Sequence, residues 1–179
     1  VYLYAGDDEG YDITVTDTSF SDNENGALKA GNATVMTLTN LMLTGNLGGS
    51  ALYVDGTPAV SASNLVFEGN EDTAIEFHDA HGELNGVSIS DQNAELFAGL
   101  SLWWGSEISV DDIEISTLPG TSAWHIHIQR AGEGFHEPSS LQLSNATLSG
   151  DADIGISISG DAVLNNVTID GTAGDGIHM

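Results

Sequence analysis

A chain of 179 residues with 40% hydrophobic content can bury one substantial core, yet 27 Asp and Glu against two Lys and Arg leave it a formal charge of −25. Nucleic acid and anionic membrane surfaces need clustered cations, so neither is expected as a partner. No cysteine is present, which excludes disulfides, thiol catalysis and thiolate metal sites, and no apolar run long enough for membrane insertion is visible.

In chain order, Val1-Tyr2-Leu3-Tyr4 has the form of a short strand, and residues 5–12 form an acidic turn. A pattern then begins that recurs seven times. Its last apolar residue is Phe20, then Leu43, Phe67, Ile89, Ile115, Leu148 and Ile169, at spacings of 21 to 33 residues. Two and five places earlier stand mostly apolar residues, such as Leu41 and Leu38 before Leu43. Alternation with period two marks strand. Three places before each reference residue lie Asp17, Asn40, Asn64, Gly86, Asp112, Asn145 and Asn166. Asn, Asp and Gly tolerate left-handed backbone, so each copy reads as strand, one-residue corner, strand. Another strand completes each unit, with inward pairs such as Leu52/Val54, Ile75/Phe77 and Ile126/Ile128, usually just after a small residue. Three short strands per unit, each stacked on its copies, describe a solenoid.

On these residues the chain resembles the right-handed parallel β-helix proteins of the pectate-lyase-like superfamily, and the resemblance covers nearly all of it. The corner residues Asp17, Asn40, Asn64, Asp112, Asn145 and Asn166 look like that superfamily's asparagine ladder. The expectation is an all-β, right-handed parallel β-helix of about seven coils, forming a single domain over residues 1–179. No amphipathic capping helix is read at either end. The segment is therefore expected to be uncapped, an internal part of a longer chain or a unit that self-associates end to end.

Loops distinguish the coils. The connection after Ile89 lengthens through Asp91 to Gly99 and leads to Trp103-Trp104, and an insertion from Gln129 to Ser140 carries Arg130, His136, Glu137 and Pro138. Acidic turns at Asp7-Asp8-Glu9, Glu71-Asp72 and Asp151-Ala152-Asp153 match no EF-hand or Gly-rich calcium repeat. No cofactor is assigned, and calcium is left open.

Outward residues of the completing strand form columns: Tyr2, Lys29, Tyr53, Glu76, Ser101, His127, Ser157, His178, and beside them Tyr4, Gly31, Asp55, His78, Trp103, Gln129, Ser159. This gathers Glu76, His78, Trp103, His127 and Arg130 on one flank, with His125 at the strand start and His136 on the overhanging loop. Two readings follow. One is a polar solenoid face with no catalytic residue. The other is a carbohydrate groove: Trp103 or Trp104 stacks on a sugar, Glu76, His78 and His127 supply acid and base, and Arg130 and His136 bind the ligand. The resemblance implies several Lys or Arg, or a trio of Asp with His, for cleavage of acidic polysaccharides, and this chain departs from both patterns. His125 and His127 alternate at a spacing metals use, but two histidines without cysteine assign no metal.

Asn32-Ala33-Thr34, Asn145-Ala146-Thr147 and Asn166-Val167-Thr168 match the glycosylation sequon. The last two are expected to be buried in the corner column with their amides occupied. Outward Thr14, Thr16, Thr37 and Thr39 begin a hydroxyl array that Ser61, Glu83, Ser109, Gln142 and Val163 do not continue. The reading reached is a non-enzymatic acidic segment, extracellular or on a cell surface, acting as a rigid structural, adhesive or assembly module. The alternative is a polysaccharide-active lyase or glycoside hydrolase.

Overall fold

A computed structural model describes residues 1–4, 10–92, 97–118, 123–129 and 137–179. In chain order the strands are β1 (Tyr2–Tyr4), β2 (Tyr11–Ser21), β3 (Leu28–Gly31), β4 (Ala33–Thr44), β5 (Leu52–Asp55), β6 (Val60–Glu68), β7 (Ile75–His78) and β8 (His81–Gln92). They continue as β9 (Phe97–Trp103), β10 (Glu107–Thr117), β11 (Trp124–Ile128), β12 (Ser140–Ser149), β13 (Ile154–Ile158), β14 (Asp161–Asp170) and β15 (Asp175–His178). Odd-numbered strands form one parallel sheet of eight and even-numbered strands a second of seven, each strand pairing with its counterpart one turn away. This is a parallel β-helix of about six turns, slightly fewer than the seven coils counted from sequence copies, because seven stacked strands enclose six intervals.

The expected three strands per turn appear as two, since each even strand runs continuously through its corner. Pairing records the bend all the same: Thr16 faces Thr39 and Thr18 faces Leu41, while Asp17 and Asn40 between them drop out of the ladder. Asp17, Asn40, Asn64, Asp112, Asn145 and Asn166 all have φ between 48° and 60°. Left-handed backbone turns the chain there, and short polar side chains tolerate it best.

One expectation is corrected here. This corner column is exposed, not buried. Its side chains still hydrogen-bond along the stack: Asn40 Nδ2 donates to Asp17 Oδ1 at 2.8 Å, Asn64 Nδ2 to Asn40 Oδ1 at 3.1 Å, and Asn166 Nδ2 to Asn145 Oδ1 at 2.8 Å. Asn145 Nδ2 donates to Asp111, at 2.7 Å from Oδ1, and not to the corner residue Asp112. The sequon residues Asn145 and Asn166 therefore have occupied amides at an exposed position.

A buried ladder exists at a different corner. Asn23 Nδ2 donates to Asn46 Oδ1 at 2.7 Å, and Asn46 Nδ2 donates to Asn70 Oδ1 at 2.8 Å. Asn46 and Asn70 are fully buried, and their amides also donate to the carbonyls of Phe20 and Leu43. Buried polar groups must be paired, and stacking identical amides satisfies donor and acceptor at every level.

Between the sheets lies the dry column. Leu52/Val54, Ile75/Phe77, Leu100/Leu102 and Ile126/Ile128 point in from the odd sheet and meet Leu38, Leu41, Leu43, Leu65, Phe67, Leu84 and Ile89 from the even one. Each such side chain contributes roughly 1.5–3 kcal/mol on burial. The residue preceding each inward pair is small, Ala27, Ala51, Ala74, Gly99, Gly155 or Gly176, because the chain enters the core there. A Cβ on Gly99 would run into the His125 carbonyl and Ile115 Cδ1. His125 alone breaks the column.

Candidate functional site

The odd sheet builds the flank. Register stacks Lys29, Tyr53, Glu76, Ser101, His127 and Ser157 in one column and Gly31, Asp55, His78 and Trp103 in the next. Because outward residues of neighbouring rungs are about 4.8 Å apart, long side chains in these columns must pack on one another.

They close into a continuous stack. His78 Nε2 lies 2.6 Å from Glu76 Oε1, and Ser50 Oγ donates to Glu76 Oε2. The His78 ring packs on Tyr53 at 5.0 Å, stacks with Trp103 at 5.9 Å and meets Trp104 edge-on at 4.4 Å. His127 continues the row, 5.4 Å from Trp103 and 4.9 Å from Trp124. At the other end Lys29 Nζ lies over Tyr2 and Tyr53, 5.6 and 6.0 Å from their centroids, a pair of cation–π contacts.

Trp104 belongs to a corner column, Asn32, Gly56, Asp79 and Trp104, whose φ values run from 47° to 56°. A bulky residue is costly in that conformation. It is held where its ring meets His78, and it stays partly exposed at 41%.

Electrostatics follow from this packing. Burial pushes the Glu76 carboxyl up, but hydrogen bonds from His78 and Ser50 and the charges of His78 and Lys29 outweigh it, so the pKa falls below the ordinary 4.5. Burial lowers His127 from 6.5 to about 4, leaving it neutral at pH 7. Burial also lowers His125, partly offset by a backbone hydrogen bond with Ser149.

His125 and His127 do not share a face. His125 is fully buried, its Nε2 3.3 Å from Thr117 Oγ1, whereas His127 packs on the flank. His125 occupies the inward small-residue position, so the alternation assumed from its spacing fails at the strand start. Arg130 and His136 lie outside the described residues. Asp111 and Asp112 lie on β10 in the even sheet, away from Glu76. Among the described residues no group of three or more His, Cys, Asp or Glu stands together as a metal-ligand set.

Three participants were missed as partners in this flank: Ser50, which bonds Glu76, Tyr53, which packs on His78, and Trp124, which packs on His127. Tyr53 was legible as a column member. Ser50 and Trp124 precede the regular alternation, where period-two reasoning assigns no face.

Chemically, the flank offers the Glu76 carboxylate, whose two oxygens are already bonded, the Asp55 carboxyl one rung from His78, two histidines locked against aromatic rings, and a partly exposed indole. General acid catalysis needs a carboxyl that keeps its proton near the working pH, and Glu76 is displaced the other way.

Stacked parallel coils with polar corner columns define a β-helix repeat protein. The chain belongs to the right-handed β-helix family, whose description, right handed beta helix region, matches residues 25–179. A search of curated proteins and one of solved structures returned no match. The family describes the winding and leaves activity open.

Proposed function

We propose that this chain is a non-enzymatic, rigid and acidic β-helix segment of an extracellular or cell-surface protein, serving as a structural, adhesive or assembly module. The observation that carries this reading is Glu76: both carboxylate oxygens are taken by Ser50 and His78, and the carboxyl is held ionised. A glycoside hydrolase pairs two carboxyls and keeps one protonated, and this carboxylate suits neither that acid role nor free approach to substrate. An acidic-polysaccharide lyase must bind carboxylates, and Lys29, one of two cationic side chains in the sequence, is engaged with Tyr2 and Tyr53.

Adhesion is supported by one feature, the partly exposed Trp104 beside His78, a ring suited to stacking on a neutral sugar. The test incubates the protein with neutral and acidic polysaccharides and follows reducing ends and unsaturated products. No release is expected from the wild type. Depolymerisation lost in Glu76→Gln or His127→Gln would establish the enzyme reading in its place.

A further inference from the structure

The fold treats the three glycosylation sequons differently. Asn145 and Asn166 lie in mid-strand on β12 and β14, at corners where their amides are drawn into the stack. Asn145 Nδ2 donates to Asp111 Oδ1 at 2.7 Å, and Asn166 Nδ2 to Asn145 Oδ1 at 2.8 Å. Asn32 stands outside the strands, between Gly31, the last residue of β3, and Ala33, the first of β4. It is exposed, with φ 54°, and its backbone N–H donates to the Asp55 carbonyl at 2.9 Å. Among the described residues no side-chain hydrogen bond engages its carboxamide.

The rest of that motif is open too. Ladder pairing matches Tyr11 to Ala33 and Asp12 to Val35, so Thr34 is the extra residue of a β-bulge, exposed and with its hydroxyl beside Gly10. One rung on from Asn32 stands Gly56, where a Cβ would come within 2.8 Å of Asn32 Oδ1. The next coil therefore presents no side chain to a group carried on Asn32.

We infer that Asn32 is an N-glycosylation site, and that the folded chain withholds the other two sequons from the same reaction. The inference rests on the extracellular reading above, because sequon glycans belong to secreted and surface proteins. The donor is a sugar activated as a phosphate ester, lipid- or nucleotide-linked. Asn32 Nδ2 bonds to the anomeric carbon, the bond from that carbon to the phosphate oxygen breaks with its electron pair leaving on the phosphate, and one amide proton passes to a base of the transferase. To attack, the nitrogen must give up its conjugation with the carbonyl, so the carboxamide has to twist. A carboxamide clamped in a ladder resists that motion, and the free one at Asn32 does not.

Two measurements test it. Secreted from a eukaryotic host behind an appended leader, the chain should carry a glycan at Asn32, read as conversion to Asp by peptide-N-glycosidase in heavy-oxygen water. Asn32→Gln and Thr34→Ala should each remove it, with thermal melting verifying the fold. A bare Asn32 in folded, secreted protein would overturn the site. Because the leader imposes export, that result would leave the extracellular reading standing, whereas the reading fails if the native protein stays inside its cell. Folded protein from a bacterial cytosol is then treated with a soluble sequon-specific N-glucosyltransferase and UDP-glucose. Hexose should appear on Asn32 about tenfold faster or more than on Asn145 or Asn166, a preference that disappears in proteolytic peptides. Equal rates in the folded protein, or the same preference in peptides, would overturn selection by the fold.

Discussion

Glu76 and His78 stand two residues apart on β7 and turn to each other, Oε1 to Nε2 at 2.6 Å, with Ser50 holding the second carboxylate oxygen from the rung before. Residues at i and i+2 share a face of a strand, so the pairing is local, and the aromatic rings of the two neighbouring coils, Tyr53 on one side and Trp103 and Trp104 on the other, close over it. The flank that sequence gathers as a potential active site is thereby knit together as a packed surface.

Buried histidines give the fold a pH dependence, His127 and, in the same direction, His125. His127 is lowered to about 4 from 6.5, so the unfolded chain binds more protons between these values. Its stabilising contribution is complete above about pH 6.5 and is lost as pH falls to about 4, on the order of 2–3 kcal/mol. Urea unfolding at pH 7.5, 5.5 and 4.5 should show that decline, and His127→Gln should flatten it. Glu76 adds a loss below its ordinary 4.5, because its carboxyl is lowered in the fold. An unchanged pH profile in His127→Gln would contradict the assignment.

The two amide ladders should differ sharply in cost. Asn46 is fully buried and bonded to Asn23, Asn70 and Phe20, so Asn46→Ala leaves several groups unpaired and should cost about 3–5 kcal/mol. Asn64 is exposed at φ 54°, and Asn64→Gly, which keeps that conformation free of strain, should cost about 1 kcal/mol or less. Denaturant unfolding of both variants decides it.

Two glycines separate crowding from backbone conformation. Gly82→Ala drives a methyl group onto the Val60 carbonyl and should destabilise by about 2–4 kcal/mol. Gly69 has no atom within 4 Å of an added Cβ but sits at φ 61°, so Gly69→Ala should cost only about 1–2 kcal/mol, from strain alone. Equal costs would mean that Gly82 does not lie against the Val60 carbonyl.

The solenoid and its columns were legible because stacking forces chemically similar residues to recur at each level: Leu38, Ala62, Leu84 and Val110 share a register and a burial state. Corner conformation was legible too, since Asn and Asp at 17, 40, 64, 112, 145 and 166 announce left-handed backbone. Their exposure was not, because an amide bonded along a stack can face either way, and the second ladder, the half-buried Asn23 with the buried Asn46 and Asn70, covers too few levels to stand out as a repeat. His125 was misplaced for a related reason. Its column holds Ala or Gly elsewhere, a steric constraint that alternation alone does not encode.

The claim that Glu76 is consumed in holding the flank together is tested most directly by a double-mutant cycle of Glu76→Gln and His78→Gln, followed by urea unfolding at pH 6.5. A favourable coupling of about 1–2 kcal/mol is expected for a charge-assisted hydrogen bond at this degree of burial. Strictly additive single-variant costs would contradict it, and would return Glu76 to the pool of free carboxylates.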